Sequence, residues 1–326
     1  PEEKVELLKR ALNYAEDAKQ QFSTLGFVSA SLSPIWTESP YDAYYLLLSS
    51  VTIDPRERRD LLTKSVEAGR ERLKKAEGSG YPHALALAHH FAAWALRDLA
   101  KTEADPVSKK KLLEEALHHQ AETVRMHDLI CPFDYYANGV ALNSLANTKS
   151  LLADLTHDTE TKRSILQEVI VDKERSLSLS LKGMGQVGDF SPSMYSNIGL
   201  MQYRYGESLS GLYLITRDRQ LLQKAIGIFS EAAESCRKPG LLSRVAECHW
   251  KAAAAHDALG DHEEAAKDFE LASDDFNGAV AGFFDFLVFN LDKVTQGTAG
   301  TFDDAHAHCR IWNFVLGIAG LTWFQL

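Results

Sequence analysis

Residues 246–278 read AECHWKAAAAHDALGDHEEAAKDFELASDDFNG, and how this stretch folds decides the architecture. Small residues crowd its first half around Ala253, and Gly260-Asp261 interrupts it. Ala265, Phe269 and Ala272 then return at helical spacing. The pattern predicts two helices joined by a tight turn. The alanines let the two axes approach closely, and the phenylalanine fills the gap to the next hairpin. The stretch before it repeats the second half with Ala225, Phe229 and Ala232.

Moving outward, a motif of two apolar residues followed by a small or apolar one recurs along the chain. It stands at Leu7-Leu8…Ala11, Leu61-Leu62…Ser65, Leu112-Leu113…Ala116, Ile165-Leu166…Val169 and Leu221-Leu222…Ala225. Its first members, at 7, 61, 112, 165 and 221, are 54, 51, 53 and 56 residues apart. Most are preceded by an aspartate turn: Asp54-Pro55, Asp105-Pro106, Asp158-Thr159 and Asp218-Arg219. An aspartate oxygen accepts from the free amides of a first helical turn, and proline is tolerated at the first helical position, so each reads as a helix start. Before each start lies another amphipathic stretch, for example Leu85, Leu87, Ala88, Phe91, Ala92 and Leu96. One helical hairpin cannot bury its own apolar stripe, whereas stacked hairpins can. The expected fold is therefore all-α, a solenoid of stacked antiparallel helical hairpins with a period near fifty. The array is expected over residues 1–280, with residues 281–326 as an atypical C-terminal cap.

On Ala253, Gly260-Asp261, Ala265, Phe269 and Ala272, residues 246–278 resemble a tetratricopeptide unit. The likeness is specific over about 80 residues and architectural over about 280, because the earlier hairpins are longer than that family's ~34-residue unit. His249 and His256 stand where the family usually has aromatics. The resemblance implies a partner-binding concave face lined by the first helix of each hairpin. In the last unit this gives Glu247, Trp250, Ala254 and Asp257. Carried back through the aspartate turns, it gives the pairs Tyr203/Glu207, Asn143/Asn147 and His90/Trp94, each four residues apart and so on one helix face. The face expected to hold a partner thus comprises His90, Trp94, Asn143, Asn147, Tyr203, Glu207, Trp250 and Asp257. Aromatics, amides and a histidine along one trough suit an extended peptide. In the family a basic-plus-asparagine set clamps a terminal carboxylate; this stripe has the asparagines without matching lysines.

Composition narrows the remaining classes. The chain has 326 residues, 45% hydrophobic and 25% charged, with a formal charge of −10. That balance is ordinary for a folded protein and repels a phosphate backbone, so nucleic acid is not an expected partner. Four cysteines without CxxC spacing fit a reducing compartment better than a disulfide or zinc framework. No signal sequence opens the chain, and the apolar stretch 311–326 is shorter than a bilayer span, so a cytoplasmic location without membrane contact is expected. The chain begins at Pro1, which suggests a segment of a longer protein, such as the sensor arm of a signalling chain.

Catalytic and cofactor signals are weak. His89-His90 and His118-His119 are neighbours that diverge by about 100° on a helix. His306, His308 and Cys309 are the closest approach to a ligand set and lack a convergent partner, so no metal is expected. Gly183-Met-Gly-Gln-Val-Gly188 matches GxGxxG but follows a helix, and reads as a flexible connection between hairpins. No nucleophile elbow or zinc-protease motif occurs. The chain is accordingly expected to be an interaction scaffold, not an enzyme, with no cofactor. Its partner is expected to be a protein or peptide, with self-association through the apolar C-terminus as a further contact. The alternative is a small-molecule-sensing helical domain, with Tyr135, Tyr136, Tyr195, Tyr203 and Tyr205 lining a pocket.

Overall fold

The computed structural model describes residues 10, 41–52, 54–187 and 191–295. Among them are ten α-helices and no strand: α1 Tyr41–Val51, α2 Pro55–Ser79, α3 Pro82–Thr102, α4 Pro106–Ile130, α5 Tyr135–Asp154, α6 Thr159–Val187, α7 Pro192–Thr216, α8 Arg219–Arg237, α9 Leu242–Leu259 and α10 His262–Thr295. They fall into two compact units, Pro1–Gly185 and Gln186–Leu326. The irregular first hairpin expected over 25–40 and the C-terminal residues 296–326 lie outside the described residues.

Each second helix starts where the aspartate turns place it. Asp54 accepts from the Arg56 amide at 2.8 Å, Asp105 from Ser108 at 2.9 Å, Asp158 from Thr161 at 2.8 Å and Asp218 from Gln220 at 3.0 Å. Pro55 and Pro106 occupy first-turn positions in which no amide hydrogen is missed. Two first helices are capped too, α5 by Asp134 on the Ala137 amide and α7 by Ser191 on the Met194 amide, while α3 and α9 start without a side-chain cap. The α9–α10 turn closes on Gly260, whose φ of +84° is a left-handed conformation that suits glycine.

In each unit consecutive helices pack against one another, and ion pairs tie several helices to the one two positions on. In the first unit Arg70 of α2 pairs with Glu115 of α4 at 2.8 Å, and Asp128 of α4 with Arg175 of α6 at 3.9 Å. In the second, Arg237 of α8 reaches Asp275 of α10 with two hydrogen bonds of 2.9 and 3.1 Å, and Glu207 of α7 meets Lys251 of α9 at 3.4 Å. First helices thus neighbour first helices, and second helices neighbour second helices. That is the signature of stacked hairpins, and the described chain is an all-α, solenoid-like helical repeat.

Small residues set the closest approaches. A Cβ on Gly206 of α7 would lie 2.6 Å from the buried Phe229 ring of α8, and one on Gly139 of α5 would lie 2.7 Å from the Ser176 carbonyl oxygen of α6. The motif 183–188 corrects the expectation of a flexible connection: α6 runs through Gly183 and Gly185 to Val187. The reason is packing. A Cβ on Gly183 would stand 2.7 Å from Tyr136 Cβ, so glycine is what lets the last turns of α6 lie against the start of α5. The array boundary expected at residue 280 falls inside α10, which continues unbroken to Thr295.

Candidate partner-binding face

In the first unit His90 and Trp94 lie one turn apart on α3, their rings edge to face at 5.9 Å. Trp94 is 37% exposed. His90 is half-buried, and burial holds its pKa down to about 4, with the positive fields of His127 and Arg97 adding to the shift. Asn143 and Asn147 occupy the same face of α5, one turn apart, and both are half-buried. Asn147 is not without a partner: Lys173 of α6, only 3% exposed, donates to its Oδ1 at 2.6 Å. Sequence reading missed this lysine because it belongs to the second helix, 26 residues away. Asn143 Oδ1 is buried and accepts no hydrogen bond.

In the second unit Tyr203 departs from the expected role of an open lining residue. It is 6% exposed, its ring centroid 6.0 Å from that of Phe229, with the Arg244 guanidinium 5.0 Å above it and that of Arg204 at 5.7 Å. Burial pushes its phenol pKa up, and Glu207 and Glu247 add to the shift. Tyr203 is therefore a floor beneath a charged layer. In that layer Arg204 binds Glu207 at 2.7 Å, Arg244 binds Glu247, and Lys251 reaches Glu207. Trp250 stands beside it, 48% exposed, with the Lys251 ammonium 5.8 Å from its ring. Asp257, two turns further on α9, is exposed and bonds His262 at 2.9 Å. Glu207 and Trp250 thus share a surface, while Asp257 belongs to the end of the hairpin.

Between α9 and α10 the histidines at 249 and 256 make a ladder with carboxylates. His256 Nε2 lies 3.7 Å from Asp268, His249 Nδ1 4.0 Å from the same aspartate, and His249 Nε2 3.5 Å from Asp275. Burial raises the Asp268 pKa against the pull of both histidines. His89 and His119, from α3 and α4, meet inside the first unit with their Nδ1 atoms 2.9 Å apart. Among the described residues no three potential ligands converge to hold a metal ion, and His306, His308 and Cys309 lie outside them. No described helix is long and apolar enough to cross a membrane. The tyrosines proposed to line a pocket are engaged by their own neighbours: Lys182 sits 3.8 Å over Tyr135 and Lys238 4.3 Å over Tyr195, while Tyr203 and Tyr205 are buried.

These features define a helical repeat protein whose first helices, in each unit, carry chemically mixed surfaces. Among solved structures the chain is similar to BtubC (BKLC) from P. vanneervenii, at 14% identity and a TM-score of 0.48, over 84% of this chain and 92% of that one. It is also similar to a circular tandem repeat protein with a novel repeat topology (15% identity, TM-score 0.36, 95% of this chain and 70% of that one). A third likeness is to a de novo designed helical repeat protein (15% identity, TM-score 0.31, 73% and 97%). No protein-family model matches the chain, and no curated protein matches it.

Proposed function

We propose that the chain is a tetratricopeptide-like interaction scaffold whose first helices hold an extended peptide or protein segment, as a module of a larger signalling protein. The tetratricopeptide assignment is supported in the second unit, where Ala225, Ala232, Ala253, Ala265 and Phe229 are buried at the helix contacts and Gly260 makes the left-handed turn. Phe269, which corresponds to Phe229 in the last described hairpin, is 42% exposed.

The observation that carries the reading is the pair of tryptophans. Trp94 and Trp250 stand on first helices with more than a third of their surface in solvent, each beside a cationic or titratable neighbour. A large aromatic held half-open beside polar or charged groups is the composition of an interface hot spot. The surrounding ion pairs are too exposed to add much stability, since such pairs contribute about 0–1 kcal/mol; they serve better as rim contacts that select a partner.

The test is selection of binders from a displayed random peptide library on the full chain, followed by affinities for Trp94→Ala and Trp250→Ala. Loss of a buried aromatic anchor is expected to weaken the selected peptides about tenfold or more, with the helical circular dichroism unchanged. If no peptide enriches over a heat-unfolded control, or if neither substitution weakens those that do, the scaffold reading fails.

A further inference from the structure

Two of the four cysteines meet in the core of the second unit. Cys236 stands in the last turn of α8 and Cys248 in the second turn of α9, 1% and 0% exposed. The chain reverses between them over residues 238–241, where the Leu241 amide donates to the Cys236 carbonyl at 3.0 Å and Gly240 takes a left-handed φ of +76°. That turn lays α9 back along α8, and the Cys236 and Cys248 thiols are hydrogen-bond partners. A third helix shapes the site. A Cβ on Gly199 of α7 would run into the Cys236 Sγ and lie 3.2 Å from the Cys236 amide nitrogen.

We propose that Cys236 and Cys248 are a modification site, at which hydrogen peroxide converts the thiol pair into a reversible disulfide tying α8 to α9. The inference stands apart from the scaffold reading. Its chemistry fits the burial. A disulfide carries no charge, so closing it leaves no ion in the core. Hydrogen peroxide is uncharged and little larger than water, and it enters where a bulky disulfide reagent cannot. Entry needs only the last turn of α8 to open, and helix ends open more readily than interiors.

The two sulfurs are not equivalent. The hydrogen bond from the Cys248 thiol holds the Cys236 pKa below its ordinary range against burial. The Arg244 guanidinium, one turn before Cys248 on α9, acts in the same direction, and Glu247 opposes it. The same hydrogen bond, together with burial, pushes the Cys248 thiol up. Cys236 is therefore the attacking thiolate. Its sulfur bonds to one peroxide oxygen, the O–O bond breaks, and the departing hydroxide leaves as water with the proton of the Cys236 thiol. Cys248 then attacks the sulfur of the Cys236 sulfenic acid. The S–O bond breaks, and its hydroxide leaves as a second water with the Cys248 proton. One peroxide is reduced to two waters while each sulfur gives up one electron.

The test uses the full chain, reduced and then exposed to hydrogen peroxide. Its intact mass is expected to fall by two hydrogens, and the product, once unfolded, to show the loss of two of its four thiols. Peptide mapping is expected to place the link between Cys236 and Cys248, and dithiothreitol to reverse it. Cys131, more exposed and in the first unit, is the internal control and should remain a thiol. In urea-unfolded chain the pairing should lose this preference. Amide exchange in α8 and α9 should slow about tenfold or more in the oxidised protein, as for a cross-link that closes a short loop. Cys248→Ser removes the resolving thiol, so dimedone should capture a sulfenic acid on Cys236, and Cys236→Ser should lose that adduct.

Oxygen added to either cysteine without loss of the two hydrogens would overturn the proposal. So would a link through Cys131 or Cys309, or a set of links no different from that of the unfolded chain. Dimedone capture on Cys248 in place of Cys236 would overturn the order of attack. The mass map of the unaltered protein decides the matter even if a serine variant does not fold.

Discussion

At the scale of single residues, glycines in this chain divide by what surrounds them. Gly211 and Gly227 sit in helix interiors with nothing within 4 Å of where a Cβ would be. Gly139 lies against the Ser176 carbonyl and Gly206 against the Phe229 ring. Replacing the first pair by alanine removes backbone freedom from the unfolded chain without meeting any atom, so each is expected to add about 0.5–1 kcal/mol. Replacing Gly139 pushes a methyl group into backbone that cannot yield, and the cost of overpacking, about 1–3 kcal/mol, outweighs that gain. Urea midpoints of the four single variants check the division. A stable Gly139→Ala protein would mean that α5 and α6 are not in close contact. This distinction was invisible in the sequence, where all four read as glycines in helical stretches. The aspartate caps were legible because capping is a local property. Lys173 was not, because its contact with Asn147 depends on how α6 lies against α5.

At the scale of the element, the α3–α4 hairpin carries a buried histidine pair. The two Nδ1 atoms stand 2.9 Å apart, close enough for one ring to donate to the other, which requires the accepting ring to be uncharged. Burial lowers the pKa of both, that of His119 to about 4, with His89 adding to the shift on His119. The groups facing His89 are Glu122, which opposes the shift, and His118 and Arg125, which deepen it. Around His119 are Glu115, which opposes it, and His118 and Arg70, which deepen it. Since the folded pKa lies below the ordinary 6.5, the unfolded hairpin binds more protons between those values. The stabilisation is therefore complete above about pH 6.5 and is lost as pH falls toward 4. Amide hydrogen exchange in α3 and α4 is expected to accelerate between pH 7 and pH 4.5, after correction for intrinsic rates. Replacing both histidines with leucine should flatten that dependence. An equal slope in the double variant would assign it to other groups, such as the carboxylates. The adjacent pairs His89-His90 and His118-His119 drew attention in the sequence as poor metal ligands. Their divergence on each helix is real, and it is what leaves one member of each pair to face across the hairpin and the other to face outward or to the flank.

At the scale of the whole molecule, contacts within each unit run between neighbouring helices, and this governs how damage spreads. The recurring spacing of 54, 51, 53 and 56 residues made the stacked hairpins legible. The division at Gly185/Gln186 left no such mark, because α6 carries a helical pattern straight through it. Exposure along the first helices was legible only in part: the register placed Trp94, Trp250 and Glu207 at the surface, but Tyr203 turned inward where Gly206 opens room for Phe229 to pack against it. Phe229 is the test of cooperativity. It is buried in the second unit between α7 and α8, and truncation to alanine removes a large side chain from a site that rigid neighbours cannot refill. The expected cost is about 3–5 kcal/mol. In a protein whose hairpins are coupled only through successive interfaces, that loss stays within the unit that suffers it. Hydrogen exchange in Phe229→Ala should therefore quicken across α7, α8 and α9, while the α3 and α4 amides keep their native rates. Uniform acceleration from α2 to α10 would instead mean that the two units unfold as one, and the nearest-neighbour account of the stack would have to be given up.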